Sequence, residues 1–134
     1  MKFGVALLLW FSSMALIVAN SAIGSTVIAG ISPRAADLYS TIVPLPYIAL
    51  CAWVLARRSP TATLQDALVV GLLWASSTVI VDVAVARLLQ GLSWRLAAVH
   101  LRFWDGYLFA LVPLMQLLAP AVALHLLRRS RSTA

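Results

Sequence analysis

Carboxylates are the scarcest reactive groups in this chain of 134 residues. There is no Glu, and Asp37, Asp66, Asp82 and Asp105 are the only acidic side chains. Asp82 stands apart because it lies within an apolar run, Val79 to Ala86. Charge is costly away from water, so a carboxylate held there must take a proton or find a partner. Asp82 is therefore the leading binding candidate, together with Asn20, Ser76, Ser77 and Thr78. These side chains can line a polar pocket or a proton-sensitive site. The competing reading is a hydrogen bond between Asn20 and Asp82 that only packs two helices, or an Asp82 met by the flexible Arg87. Arg87 is five residues on, which turns it well away from Asp82 around a helix.

The remaining polar residues suggest no reaction. His100 and His125 are separated by most of a helix's length and form no metal-ligand pair. His125, beside Arg128 and Arg129, reads as an interfacial residue, and His100 as an exposed one. Cys51 is the single cysteine. It lies in an apolar run and reads as a packing residue. No Ser–His–Asp set, Gly-rich phosphate loop or paired carboxylates occur, so neither enzymatic chemistry, cofactor nor metal is expected.

The elements that hold Asp82 follow from composition. The chain is 63% hydrophobic and 10% charged, against about 45–50% and about 25% in soluble domains. A short chain cannot bury so much apolar surface in water. A spanning helix needs about 20 mainly apolar residues, and four such runs are visible. The first, Phe3 to Ile31, is uncharged. Ala19-Asn20-Ser21 also suits a signal-peptide cleavage site, but the apolar run continues past it. Ser32 then reads as an N-cap with Pro33 at the first helical position. The second run covers about Leu38 to Ala56 and stops at Arg57-Arg58. Thr63 to Asp66 reads as a capping box before a third run, about Leu64 to Leu89, which Gly91 ends. The fourth covers about Asp105 to Leu127. Arg95 and Arg102 lie on one face, and Leu92, Leu96, Val99 and Phe103 on another. That spacing predicts a short amphipathic helix at the interface before the last span.

Four landmarks recur in order along the chain, which points to an internal duplication. Leu9 to Ser13 matches Leu73 to Ser77, and Asp37-Leu38-Tyr39 matches Asp105-Gly106-Tyr107. Val43-Pro44-Leu45 matches Val112-Pro113-Leu114, and Arg57-Arg58-Ser59 matches Arg128-Arg129-Ser130. Two helices per unit give both copies one orientation, hence a parallel repeat about an axis along the membrane normal. The acid of each Asp-x-Tyr would favour the N-terminus of an even-numbered span. Pro44, Pro113 and Pro120 would kink those spans and leave carbonyls unpaired.

The expected fold is an all-α integral membrane protein of one domain. It has four transmembrane helices in two tandem, similarly oriented hairpins, residues 1–59 and 60–134, with the interfacial segment before the last helix. Net charge is +6, and the cations sit at the ends of apolar runs. That arrangement suits lipid headgroups and leaves no basic stripe for nucleic acid. Lys2, Arg57, Arg58, Arg128, Arg129 and Arg131 fall on one side, which places both termini in the cytoplasm. Nine Arg against one Lys, with abundant Ala and Val, suits a GC-rich bacterial genome and so an inner membrane. The expected partners are the bilayer and either a second copy or a larger membrane subunit. The function expected is transporter-like binding of a small solute around Asp82. The alternative is an accessory or scaffold subunit without chemistry.

Overall fold

The computed structural model describes residues 1–89 and 91–132. The side chain of His100, expected to be exposed, lies outside the described residues. Among the described residues every regular element is helical. The helices are α1 (Phe3–Ile23), α2 (Pro33–Ile42), α3 (Pro44–Arg58), α4 (Leu64–Leu88), α5 (Trp94–Ala97) and α6 (Leu111–Ser132). A π-helical turn, Gly24–Ile28, extends α1, and 3-10 turns at Val99–Leu101 and Phe103–Asp105 follow α5. Four helical stretches are long and apolar enough to cross a membrane: Phe3–Ile28, Pro33–Arg58, Leu64–Leu88 and Leu111–Ser132.

Local chemistry sets most boundaries. Ser32 Oγ accepts from the Ala35 N–H at 3.3 Å, and Pro33 takes the first helical position, where its missing N–H costs nothing. Thr63 and Asp66 form the reciprocal capping box, Thr63 N donating to Asp66 Oδ2 at 2.8 Å and Asp66 N to Thr63 Oγ1 at 3.1 Å. At the far end of α4, Gly91 adopts φ +65° and Leu92 N donates to the Ala86 carbonyl at 3.2 Å. This left-handed turn closes the helix as glycine permits.

Two boundaries differ from the sequence reading. The last helix begins at Leu111 rather than Asp105, because Gly106 at φ +87° turns the chain out of the helical region. Asp105 consequently caps no long helix; it sits in a 3-10 turn and pairs with Arg102 at 3.7 Å. The amphipathic helix before the last span is also not formed as one element. Only Trp94–Ala97 is α-helical, with Ser93 Oγ accepting from Leu96 N at 3.4 Å, and the two 3-10 turns complete the connection.

The chain ends and the α3–α4 turn gather at one end of the bundle. Lys2 N donates to Ser59 Oγ at 3.2 Å, the N-terminal ammonium lies 3.7 Å from Asp66 Oδ2, and the Arg128 guanidinium donates to the Ala62 carbonyl. The cations Lys2, Arg57, Arg58 and Arg128 therefore share that end.

Helix α6 packs most closely on α4 and then on α3, while α1 packs on α3 and more lightly on α4. The four spans thus run round the bundle in the order first, second, fourth, third. A two-fold axis along the bundle would carry the first span onto the third and set them at opposite corners. Instead they adjoin, so the expected axis is absent from the packing. Trp74 Nε1 donates to the Ala6 carbonyl at 3.1 Å across this α1–α4 contact.

Gly71 is the closest approach. A Cβ there would collide with the backbone carbonyl of Leu117, so only hydrogen fits between α4 and α6. Ile48, Leu55, Val70 and Val112 fill the interior, each at most 2% exposed. The outer faces are equally apolar: Leu8, Phe11, Leu72, Ile80, Leu118 and Val122 are all exposed. Soluble monomers rarely expose contiguous apolar surface on this scale.

Candidate functional site

The site is built at the end of the bundle opposite the chain termini. Helix α1 loosens there into the π turn, whose wider ring is common beside functional sites. Ser25 and Thr26 return their hydroxyls to the Ala22 carbonyl, at 3.1 Å and 2.6 Å, and so partner a carbonyl within the loosened turn. Gly24 lets α2 approach closely; a Cβ there would lie 2.7 Å from Ser40 Oγ. Between the end of α1, α2 and the second half of α4 lies a cavity of about 480 Å³. Asp82, Asp37, Thr78, Tyr107 and Phe109 are among its lining residues. Its volume falls within the about 300–1,000 Å³ common for small-ligand sites.

Asp82 is half-buried, with its Oδ2 shielded from solvent. Thr78, one turn earlier, is fully buried and donates its hydroxyl to the Met14 thioether at 3.1 Å, joining α4 to α1 along the cavity wall. Asp37 reaches the site from α2. Its Oδ2 accepts the Leu108 N–H at 3.1 Å, fixing the segment that brings Tyr107 and Phe109 to the cavity wall. Arg87 is turned away: it donates to the Leu92 carbonyl at 3.0 Å and lies 5.4 Å over the Trp94 ring.

Of the five binding residues expected from sequence, the structure brings Asp82 and Thr78 to the cavity. Asn20 is 3% exposed, but its Nδ2 donates to the Tyr39 carbonyl at 3.2 Å. It joins α1 to α2 and does not line the cavity. Ser76 is exposed and bonds back to the Leu72 carbonyl at 2.7 Å, and Ser77 is also outside the lining.

The prolines separate too. Pro44 marks a true interruption between α2 and α3 at Val43, and Pro120 lies inside α6. Pro113 is the third residue of α6, in the first turn, where helical N–H groups have no partner anyway. It therefore kinks nothing.

Sequence reasoning missed two residues. Asp37 was legible only as half of an Asp-x-Tyr landmark, and its place in the cavity depends on α2 folding back over α1. Gln116 is fully buried in α6, and neither side-chain amide atom has a hydrogen-bond partner among the described residues. Its signal was available, as the one Gln inside an apolar run.

The fold and site together define a small all-helical protein with four helices able to cross a membrane and a cavity bearing carboxylates near one end. Comparison with protein-family models, with curated proteins and with solved structures finds no match to this chain.

Proposed function

We propose that the chain is a small multi-pass protein of a bacterial inner membrane that admits a small solute to the cavity beside Asp82, in the manner of a transporter. The observation that carries this reading is the cavity itself: about 480 Å³ with an ionisable side chain of α4 on its wall. Intramembrane carboxylates are costly and commonly mark solute or ion paths. The cations gathered with both termini favour a cytoplasmic face at that end, so the cavity opens toward the opposite face. Two tandem hairpins, 1–59 and 60–134, suit the recurring landmarks and the packing of the first span on the second and of the third on the fourth. Four helices enclose little volume, so a complete path across the membrane would be finished by a second copy.

Thiol accessibility tests the reading without knowledge of the solute. Cys51 is buried and can be replaced by Ala. In that background, Asp82→Cys in sealed proteoliposomes is treated from either face with a small, water-soluble, membrane-impermeant methanethiosulfonate. A transporter predicts modification from both faces, as its two access states interchange. Modification from one face alone keeps solute binding and removes transport. Resistance from both faces, with the protein folded, removes both and leaves the accessory-subunit reading. Size in mild detergent checks the second copy.

A further inference from the structure

We propose that an outer groove of α4 is a site for an anionic phospholipid, with its phosphate on Arg87 and one acyl chain along the helix. The proposal rests on the chain's place in a membrane but not on the solute reading. Val79, Ile80, Val83 and Ala84 line the groove, together with Arg87 and Trp94, and no acidic residue is among its lining. Ile80, Ala84 and Arg87 lie on the side of α4 turned away from Thr78 and Asp82. The groove is therefore separate from the cavity, and the two share no lining residue.

The protein itself holds Arg87 in place. The guanidinium donates to the Leu92 carbonyl at 3.0 Å and stands 5.4 Å over the Trp94 ring. The left-handed turn at Gly91 brings both partners within reach, because it folds α5 back against α4. A guanidinium carries five N–H donors in a planar fork, so one carbonyl leaves most of them for a ligand. No ion pair to Arg87 occurs among the described residues. Phosphate oxygens match that fork, commonly through two parallel bonds. Arg95, exposed beside Trp94 on α5, adds to the positive potential there.

Depth and shape decide what carries the phosphate. Arg87 is next to the last residue of α4, at headgroup level, where a tryptophan such as Trp94 also belongs. From Arg87 back to Val79 the groove follows about 12 Å of helix, enough for the upper part of an acyl chain. The groove holds about 790 Å³, far more than an inorganic anion needs, so its occupant brings an apolar body with its charge. A second copy of the chain complements it poorly. At this end Asp37 is engaged by Leu108 and Asp105 by Arg102, and Asp82 faces the cavity.

The test uses the full chain in vesicles of phosphatidylcholine containing a minor share of phosphatidylglycerol, with one or the other lipid brominated in its chains. Bromine quenches tryptophan on contact, and the signal lost in Trp94→Phe isolates the contribution of Trp94. Brominated phosphatidylglycerol is expected to quench Trp94 at least about fivefold more than its share of the bilayer predicts. Arg87→Gln is expected to return quenching to that share, and Arg87→Lys, which keeps the charge without the fork, to lie between. Ala84→Phe, which fills the groove, is expected to abolish the preference. Arg58→Gln removes the same charge at the opposite end of the bundle and is expected to leave it unchanged. Gel filtration confirms that each variant is folded; if Arg87→Gln does not fold, Ala84→Phe and Arg87→Lys decide.

Equal quenching by the two lipids overturns the proposal, as does a preference that survives both Arg87→Gln and Ala84→Phe. Displacement by soluble glycerol 3-phosphate overturns it too, because the site then reads a free phosphate and not a lipid. Shielding of Trp94 from both brominated lipids, relieved on dilution of the protein in the bilayer, overturns it in favour of a second copy on the groove. None of these outcomes bears on the accessibility of position 82, so the solute reading stands or falls separately.

Discussion

At the scale of single residues, polarity inside this bundle divides into groups that are satisfied and groups that are not. Asn20 and Thr78 are both buried, and each joins two helices: Asn20 to the Tyr39 carbonyl, Thr78 to Met14. Such bonds contribute about 0.6 kcal/mol on average in membrane proteins. Gln116 is different, because a fully buried amide without partners carries a desolvation cost and no compensating bond. Replacing it with Met, of similar length and flexibility, should raise stability by about 1 kcal/mol or more. Reversible unfolding in mixed micelles of mild detergent and dodecyl sulfate would measure this. A loss of stability would mean that the amide has a partner in the membrane. The contrast also explains the uneven legibility of the candidate site. Residue type alone marked Asp82, but Asn20, Ser76 and Thr78 look alike in an apolar run. Which one reaches the cavity depends on helix rotation and on which neighbour offers a carbonyl.

At the scale of elements, α4 and α6 are joined by the absence of a side chain. Gly71 brings its backbone against the Leu117 carbonyl, the close approach that small residues permit where lipid gives helices no hydrophobic drive to associate. Gly71→Ala must separate the two backbones, since neither the Leu117 carbonyl nor that of Gln116 can swing aside. The expected cost is about 1–3 kcal/mol, read by the same unfolding assay. Pro113→Ala should by comparison change stability by less than about 0.5 kcal/mol, because position three of a helix has no intrahelical N–H bond to regain. A large effect there would show that Pro113 does shape α6. The helix ends, by contrast, were readable in advance. Ser32-Pro33, Thr63 to Asp66 and Gly91 act through bonds within a few residues, so local sequence carries them. The late start of α6 was missed because apolar periodicity runs smoothly through Tyr107 to Ala110, while Gly106 turns the chain.

At the scale of the whole molecule, the recurring landmarks occupy unlike surroundings. Trp74 donates to Ala6, whereas Trp10 Nε1 is buried without a hydrogen-bond partner among the described residues. Asp37 holds Leu108 at the cavity, whereas Asp105 pairs with the neighbouring Arg102. The order of the spans round the bundle separates this arrangement from a two-fold one. Met14 and Thr78 touch across α1 and α4, so Met14→Cys with Thr78→Cys, in a Cys51→Ala background, should form an intrachain disulfide under mild oxidation. A two-fold arrangement would keep the first and third spans apart and give no intrachain product on a reducing and non-reducing gel pair.

The apolar composition by itself determined four long helices, because a backbone surrounded by hydrocarbon must satisfy its own hydrogen bonds and a helix does so within one segment. It also determined that Asp82 would be conspicuous, since a lone carboxylate in such a run has few inexpensive environments. Only the tertiary structure decided that Asp37 shares a cavity with Asp82, that Asn20 turns aside to Tyr39, and that α1 adjoins α4. The outer and inner faces of these helices are equally apolar, so hydrophobic patterning does not orient them. Their rotations and neighbours are set instead by a few short-range features (a glycine against a carbonyl, a π turn, an amide on a backbone oxygen) that exist only once the helices have met.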